Sequence, residues 1–194
     1  MIKDIARACR SYRRFYEDER IPRELLVDWV DTARIVASSA NGQPLRYLIV
    51  DDPQGCAELF PNTAWAGALK DWPGPEEGER PSAYLIMLRD ANRSLGDRFS
   101  AWDEGIAAQT IMLAATEAGF GGCMIASFKK ASVAAICGLE GSNISPELVL
   151  ALGKPKEEVR IVEVGEDGST KYYRDENQVH YVPKRPLSDV LIQP

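Results

Sequence analysis

Between residues 23 and 37 the apolar side chains Leu25, Leu26, Trp29, Val30, Ala33, Val36 and Ala37 recur at three- and four-residue intervals, with charges between them. That spacing predicts one amphipathic helix, opened by Pro22. Ser38-Ser39-Ala40-Asn41-Gly42-Gln43-Pro44 follows as a loop of turn formers and small polar groups, and Leu45 to Val50 resumes as a β-like run. Tyr84 to Leu88, Cys123 to Phe128 and Leu148 to Leu152 read as further strands, with Val159 to Val164 a fifth strand or an extended segment. Short helices are expected from Ile2 to Cys9 and from Ala131 to Cys137. From Gly105 to Ala118 the chain is apolar or small nearly all round, so this helix must be covered on most faces, at a domain centre or a subunit interface. Gly119-Phe120-Gly121-Gly122 ends it. Helices and strands alternate along one chain, which makes the class α/β or α+β.

A length of 194 residues favours one domain, 1–194. Residues 52 to 82 are rich in Pro, Gly and acidic groups yet carry Phe60, Trp65 and Trp72, a mixture that reads as a lid or as a connecting segment with aromatic anchors. The net charge of −6 gives no field to collect nucleic acid or anionic lipid, so an anionic ligand must be held by a local basic cluster. Cys9, Cys56, Cys123 and Cys137 form no C-x-x-C pair, and the charged start lacks an apolar signal segment. A reduced cytoplasmic protein, with no metal site and no membrane partner, is the expectation.

Several chemistries are excluded by their missing motifs. No phosphate-cradling G-x-x-x-x-G-K-[ST] and no G-x-S-x-G is present. Gly119-Phe120-Gly121 follows a helix instead of opening one, and Met124 stands at the last glycine position, so a Rossmann site is rejected. The only histidine, His180, reads as a solvated surface residue, and Glu76-Glu77 and Glu157-Glu158 read as solvated faces. No side chain offers itself as a catalytic group. Such a chain suits a cofactor that brings its own reactivity, with the fold supplying binding and orientation.

Arg10-Ser11-Tyr12-Arg13-Arg14-Phe15 places guanidiniums and a hydroxyl just after the first helix, either as a solvated basic helix end or as a grip on phosphate oxygens. The Ser38 to Gln43 loop either caps and turns the chain or presents hydroxyls and N–H groups to a heteroatom-rich ring. Lys184-Arg185 adds a second cationic pair.

Taken in order, these segments resemble the nitroreductase family of FMN-dependent enzymes. Arg10 to Phe15 is similar to the family's R-S-x-R-x-F segment, and Ala37 to Pro44 to its P-S-S-x-N-x-Q-P loop. Asp103-Glu104-Gly105-Ile106-Ala107-Ala108-Gln109 resembles its central helix and Ile125-Ala126-Ser127-Phe128 the strand beyond; Leu148 to Pro155 and Lys184-Arg185-Pro186-Leu187 complete the series. Ala37, Leu45 and Cys9 depart from the family's usual proline, tryptophan and arginine. The resemblance implies an α+β fold with a central, mostly antiparallel sheet flanked by helices, in an intertwined homodimer whose C-terminal extension, 165–194, packs on the partner subunit. It implies FMN as cofactor, with Arg10, Ser11, Arg13 and Arg185 on the phosphate and ribityl chain and Lys184 as a neighbour. Ser38, Ser39 and Asn41 would reach the flavin from the second chain, and the backbone of Ile125, Ala126 and Ser127 would lie along its ring. The implied activity is ping-pong reduction of electron-poor small molecules, nitroaromatics or quinones, by NADH or NADPH. The same fold also implies alternatives: a dehalogenase, a dehydrogenase, or a non-catalytic FMN-binding redox sensor or store.

Overall fold

The computed structural model describes residues 1–69 and 72–192. In chain order its elements are α1 (Ile2–Ala8), β1 (Phe15–Tyr16), α2 (Arg23–Arg34), β2 (Leu45–Val50), α3 (Pro53–Leu59), β3 (Ala83–Asp90), α4 (Asp97–Glu117), β4 (Gly121–Ile125), α5 (Lys130–Ile136), β5 (Ile144–Pro155), β6 (Val159–Glu163), β7 (Tyr173–Arg174), β8 (His180–Lys184) and α6 (Leu187–Val190). Among the described residues no helix is long and apolar enough to cross a membrane.

The apolar run of β3 is the spine of an antiparallel sheet ordered β1-β5-β3-β2. The long β5 pairs with β3 on one edge and, in succession, with β4 and β1 on the other. Side chains of a strand alternate between faces, and both faces here are covered. Leu85 and Met87 pack with Leu26 and Trp29 of α2 and Ala108 and Ile111 of α4; Tyr84, Ile86 and Leu88 pack with Cys56 and Leu59 of α3 and Val133 of α5. Each such aliphatic side chain, fully buried, contributes about 1.5–3 kcal/mol. The architecture is α+β, a central antiparallel sheet flanked by helices. A small second sheet, β6-β8-β7, has β6 and β8 parallel.

Several boundaries differ from the sequence expectation, and two of the differences have clear physical reasons. Helix α4 starts at Asp97, eight residues before Gly105, because Asp97, Arg98, Asp103 and Glu104 make its first turns look polar. Strand β4 starts at Gly121, where glycines suggest a turn but serve close approach: a Cβ on Gly122 would meet the Ala151 carbonyl oxygen at 2.3 Å, and one on Gly121 the Tyr12 ring at 2.6 Å. Helix α4 buries Ala107, Ala108, Ile111 and Ala115, yet Phe99, Trp102 and Ile106 are 40%, 50% and 44% exposed in the single chain.

An ion cluster fastens the segment before β1. Arg14 grips both oxygens of Glu79, at 2.5 and 2.6 Å, and Lys156 reaches the same carboxylate at 3.0 Å. The Arg14 hydrogen bond above all holds the Glu79 carboxyl at about 2, against an ordinary 4.5. With the folded pKa depressed, this stabilisation is complete above about pH 4.5 and is lost as pH falls towards 2. Unfolding free energy measured across that window should fall in the native protein and stay flatter in Glu79→Gln; parallel curves would remove the assignment.

Candidate functional site

The chain between α1 and β1 is extended, anchored by fully buried Phe15 and laid against β4. Ser11 pairs with Gly122 in a parallel bridge, and the Tyr12 N–H donates to the Gly122 carbonyl at 2.9 Å. This docking is possible because residue 121 carries no side chain to meet the Tyr12 ring. The Arg13 backbone N–H donates to Glu157 Oε1, and Arg174 Nη2 donates to the other carboxylate oxygen at 2.8 Å. Arg13 is thus fixed at its backbone by a carboxylate while its guanidinium is left for other work.

A cavity of about 300 Å³ opens beside this segment, lined by Arg10, Ser11, Arg13, Gln109, Tyr172, His180 and Lys184 among others. Among the described residues that line it there is no carboxylate. Arg10 and Arg13 spend one nitrogen each on backbone carbonyls, of Ala6 at 2.6 Å and Ser11 at 3.3 Å. Their buried Nε atoms have no partner among the described residues, and neither has His180 Nδ1. Buried polar groups are nearly always hydrogen-bonded, so unsatisfied donors around an acid-free cavity fit an acceptor-rich anion such as a phosphate monoester.

A second cavity of about 160 Å³ shares Arg13, Met124 and Tyr172 with the first and continues along Ile125, Ala126 and Ser127. Its far wall is Trp65, Ala66 and Gly67. That wall is tied to the strand end by the Ala64 N–H donating to the Ser127 carbonyl at 2.8 Å and by the Thr63–Phe128 bridge. Trp72 stands elsewhere, with the Arg174 guanidinium 4.3 Å from its ring centroid. The two cavities together make one groove, basic at one end and walled by main chain and aromatic groups at the other.

Arg10, Ser11, Arg13, Lys184, Ile125, Ala126 and Ser127 are therefore brought together. Ser38, Ser39 and Asn41 are not. Ser38 lines a separate cavity of about 350 Å³ between α2, β2 and α4. Ser39 donates through its N–H and hydroxyl to Asp103 Oδ1, at 2.7 and 2.9 Å, and Asn41 Oδ1 accepts from Gln43 at 3.2 Å. Within the cationic pair the roles separate: Lys184 lines the basic cavity, whereas Arg185 bonds the Asp189 carbonyl at 2.6 Å and its side chain is 54% exposed.

Two sequence expectations are corrected. His180 is not a solvated residue: it is 1% exposed, stacked on Tyr172 with ring centroids 5.1 Å apart. Burial first, then the charges of Arg13 and Arg174, lowers its pKa to about 4, so it is neutral at pH 7. Glu157 likewise is no solvated face; it is buried, holding Arg13 and Arg174. Tyr172, His180 and Gln109 were not among the expected site residues. The missed signal is strand periodicity, since His180, Val182 and Lys184 occupy alternate positions of β8 and all line the basic cavity.

The chain is similar in sequence and fold to known proteins. The model of the nitroreductase family matches residues 6–154. "Putative NAD(P)H nitroreductase YdgI" of Bacillus subtilis is 23% identical over 185 residues, covering 80% of this chain and 88% of that one. The solved structure of "a putative nitroreductase in complex with FMN" from Desulfovibrio desulfuricans superposes with a TM-score of 0.70 at 21% identity, over 100% of this chain and 96% of that one. The NADPH:FMN oxidoreductase from Vibrio harveyi, solved with NAD+, gives 0.64 at 25% identity, over 80% of this chain and 69% of that one. With the matched residues spanning the arginine segment, the central helix and the sheet, this chain belongs to the nitroreductase family.

Proposed function

We propose that the protein is an FMN-dependent NAD(P)H oxidoreductase that reduces electron-poor small molecules such as nitroaromatics and quinones. The observation that carries this reading is the acid-free cavity in which the unpartnered nitrogens of Arg10 and Arg13 meet, leading into the Ile125–Ser127 channel. The FMN complex and the NADPH:FMN activity named for the two solved relatives support it.

In this reading Arg10, Arg13 and Lys184 hold the phosphate by charge-assisted hydrogen bonds, aided by Ser11. The backbone of Ile125, Ala126 and Ser127 flanks the ring, and Trp65 and Tyr172 narrow the channel and exclude water. FMN, when bound, supplies the redox chemistry, accepting hydride from NADH or NADPH and passing the electrons on to the acceptor. The chain's part is to bind, orient and keep dry. His180 lines the basic cavity and not the Ile125–Ser127 end, and in this reading protons reach the acceptor from solvent.

The functional unit in this reading is a homodimer in which Ser38, Ser39 and Asn41 of a second copy complete each groove. Two features support it: the exposed stripe Phe99, Trp102 and Ile106 along α4, and the separation of the serine loop from the arginine cavity within one chain. A stable flavin-loaded monomer in sedimentation would refute this assembly.

The deciding experiment is stopped-flow mixing of the purified yellow protein with NADH and with NADPH, followed by a small panel of quinones and nitroarenes. Fast bleaching and fast recolouring are expected. A protein that takes up no FMN ends the reading, and one whose FMN is reduced only sluggishly by either nicotinamide is a sensor or store instead.

A further inference from the structure

We infer that His180 is a ligand-binding residue, its imidazole donating a hydrogen bond to a phosphate monoester gathered by Arg10, Arg13 and Lys184. The identity of that monoester as FMN rests on the function proposed above; the hydrogen bond itself rests on the cavity.

The imidazole borders the basic cavity with one nitrogen sealed from solvent and unpaired. His180 is almost wholly buried, lines the basic cavity, and its Nδ1 has no partner among the described residues. It cannot readily turn away to find one. Its backbone N–H donates to the Glu158 carbonyl at 2.9 Å, its strand lies between β6 and β7, and its ring stacks on Tyr172 at an interplanar angle of 30°. Tyr172 is itself held, its hydroxyl accepting from the Ala68 N–H at 3.3 Å, with the Arg13 guanidinium 5.0 Å from its ring centroid. The histidine, tyrosine and arginine are therefore ordered as a unit on one wall.

The charge pattern says what this nitrogen would meet. With cations present and no carboxylate lining the cavity, the expected guest is an anion whose oxygens need donors. A fourth cation would repel the others. An imidazole adds a directed donor, and before the ligand arrives burial and the neighbouring arginines keep it neutral, so it does not add to their repulsion.

The chain contains a single histidine, so its imidazole nitrogen resonances are assigned without mutagenesis. Protein carrying nitrogen-15 histidine would be titrated at fixed pH with inorganic phosphate, with FMN and with riboflavin, which lacks the phosphate. Saturable shifts are expected with phosphate and FMN, and little shift with riboflavin. In fluorescence titrations His180→Phe, which keeps the ring stack, should weaken FMN at least about tenfold while changing riboflavin by less than about twofold, and His180→Asn, which keeps a nitrogen near Nδ1, should recover most of the loss.

Resonances that stay put while phosphate or FMN saturates the protein would overturn the inference. So would equal losses of FMN and riboflavin in His180→Phe, which would mark a role in stacking alone. If His180→Phe does not fold, the native titration decides by itself. Native protein that binds inorganic phosphate with the expected shifts but refuses FMN would sink the FMN reading and leave the histidine's role standing; native protein that binds neither would sink both.

Discussion

Replacing Arg13 by alanine should weaken FMN binding by about 1.5–3 kcal/mol, roughly 10- to 150-fold, through loss of a charge-assisted hydrogen bond to phosphate. The substitution spares the backbone anchor because the guanidinium and the backbone of this residue do separate jobs, although it also removes the contacts with the Ser11 carbonyl and the Tyr172 ring. The N–H that Glu157 holds survives in the variant, so the segment stays docked on β4 while its cation disappears. Flavin fluorescence during dilution to nanomolar protein measures the effect. An Arg13→Ala protein that keeps stoichiometric flavin under those conditions would remove Arg13 from the site.

A larger effect, on stability, is expected from Glu157→Ala. Arg174 and Glu157 form a side-chain pair that is 8% and 0% exposed, and the same carboxylate accepts from the Arg13 N–H. Removing one member of a buried ion pair leaves the other unpaired and costs about 3–5 kcal/mol. Burial already drags the Arg174 pKa down, with Glu157 the main influence holding it up. Urea unfolding of Glu157→Ala should show that loss, and a Glu157→Ala, Arg174→Met double variant should recover part of it, since the stranded charge goes as well. A loss under about 1 kcal/mol, or no recovery in the double variant, would show that the pair is not the fastener it is taken to be.

The parts of this molecule legible in its sequence are those where one physical demand dominates. Leu45 to Val50 is a strand over the expected residues because a run of aliphatic and aromatic side chains, broken only by Arg46, after a polar loop has few other outcomes. The arginine segment leaves two readings open in sequence, a solvated helix end or a phosphate grip, and in the fold Arg10 and Arg13 line a cavity. Where two demands compete, the reading failed. Gly121 and Gly122 look like a turn in sequence, but their missing side chains serve the approach of Tyr12 and Ala151. The polar residues of β7 and β8 hid a sheet whose inner face carries His180 and Lys184. Glu157 looked solvated because its neighbour Glu158 is charged too, and nothing local reveals that Arg13 and Arg174, distant in sequence, converge on it.

The basic cavity draws its walls from residues 9–13 near one end of the chain and 172–184 near the other, with Gln109 from the middle. During synthesis the segment bearing Arg10 and Arg13 emerges well before the strand bearing His180 and Lys184. The cavity is therefore walled only once β8 has been made, and a nascent or proteolytically clipped chain ending before β8 would carry the arginines without the wall that faces them.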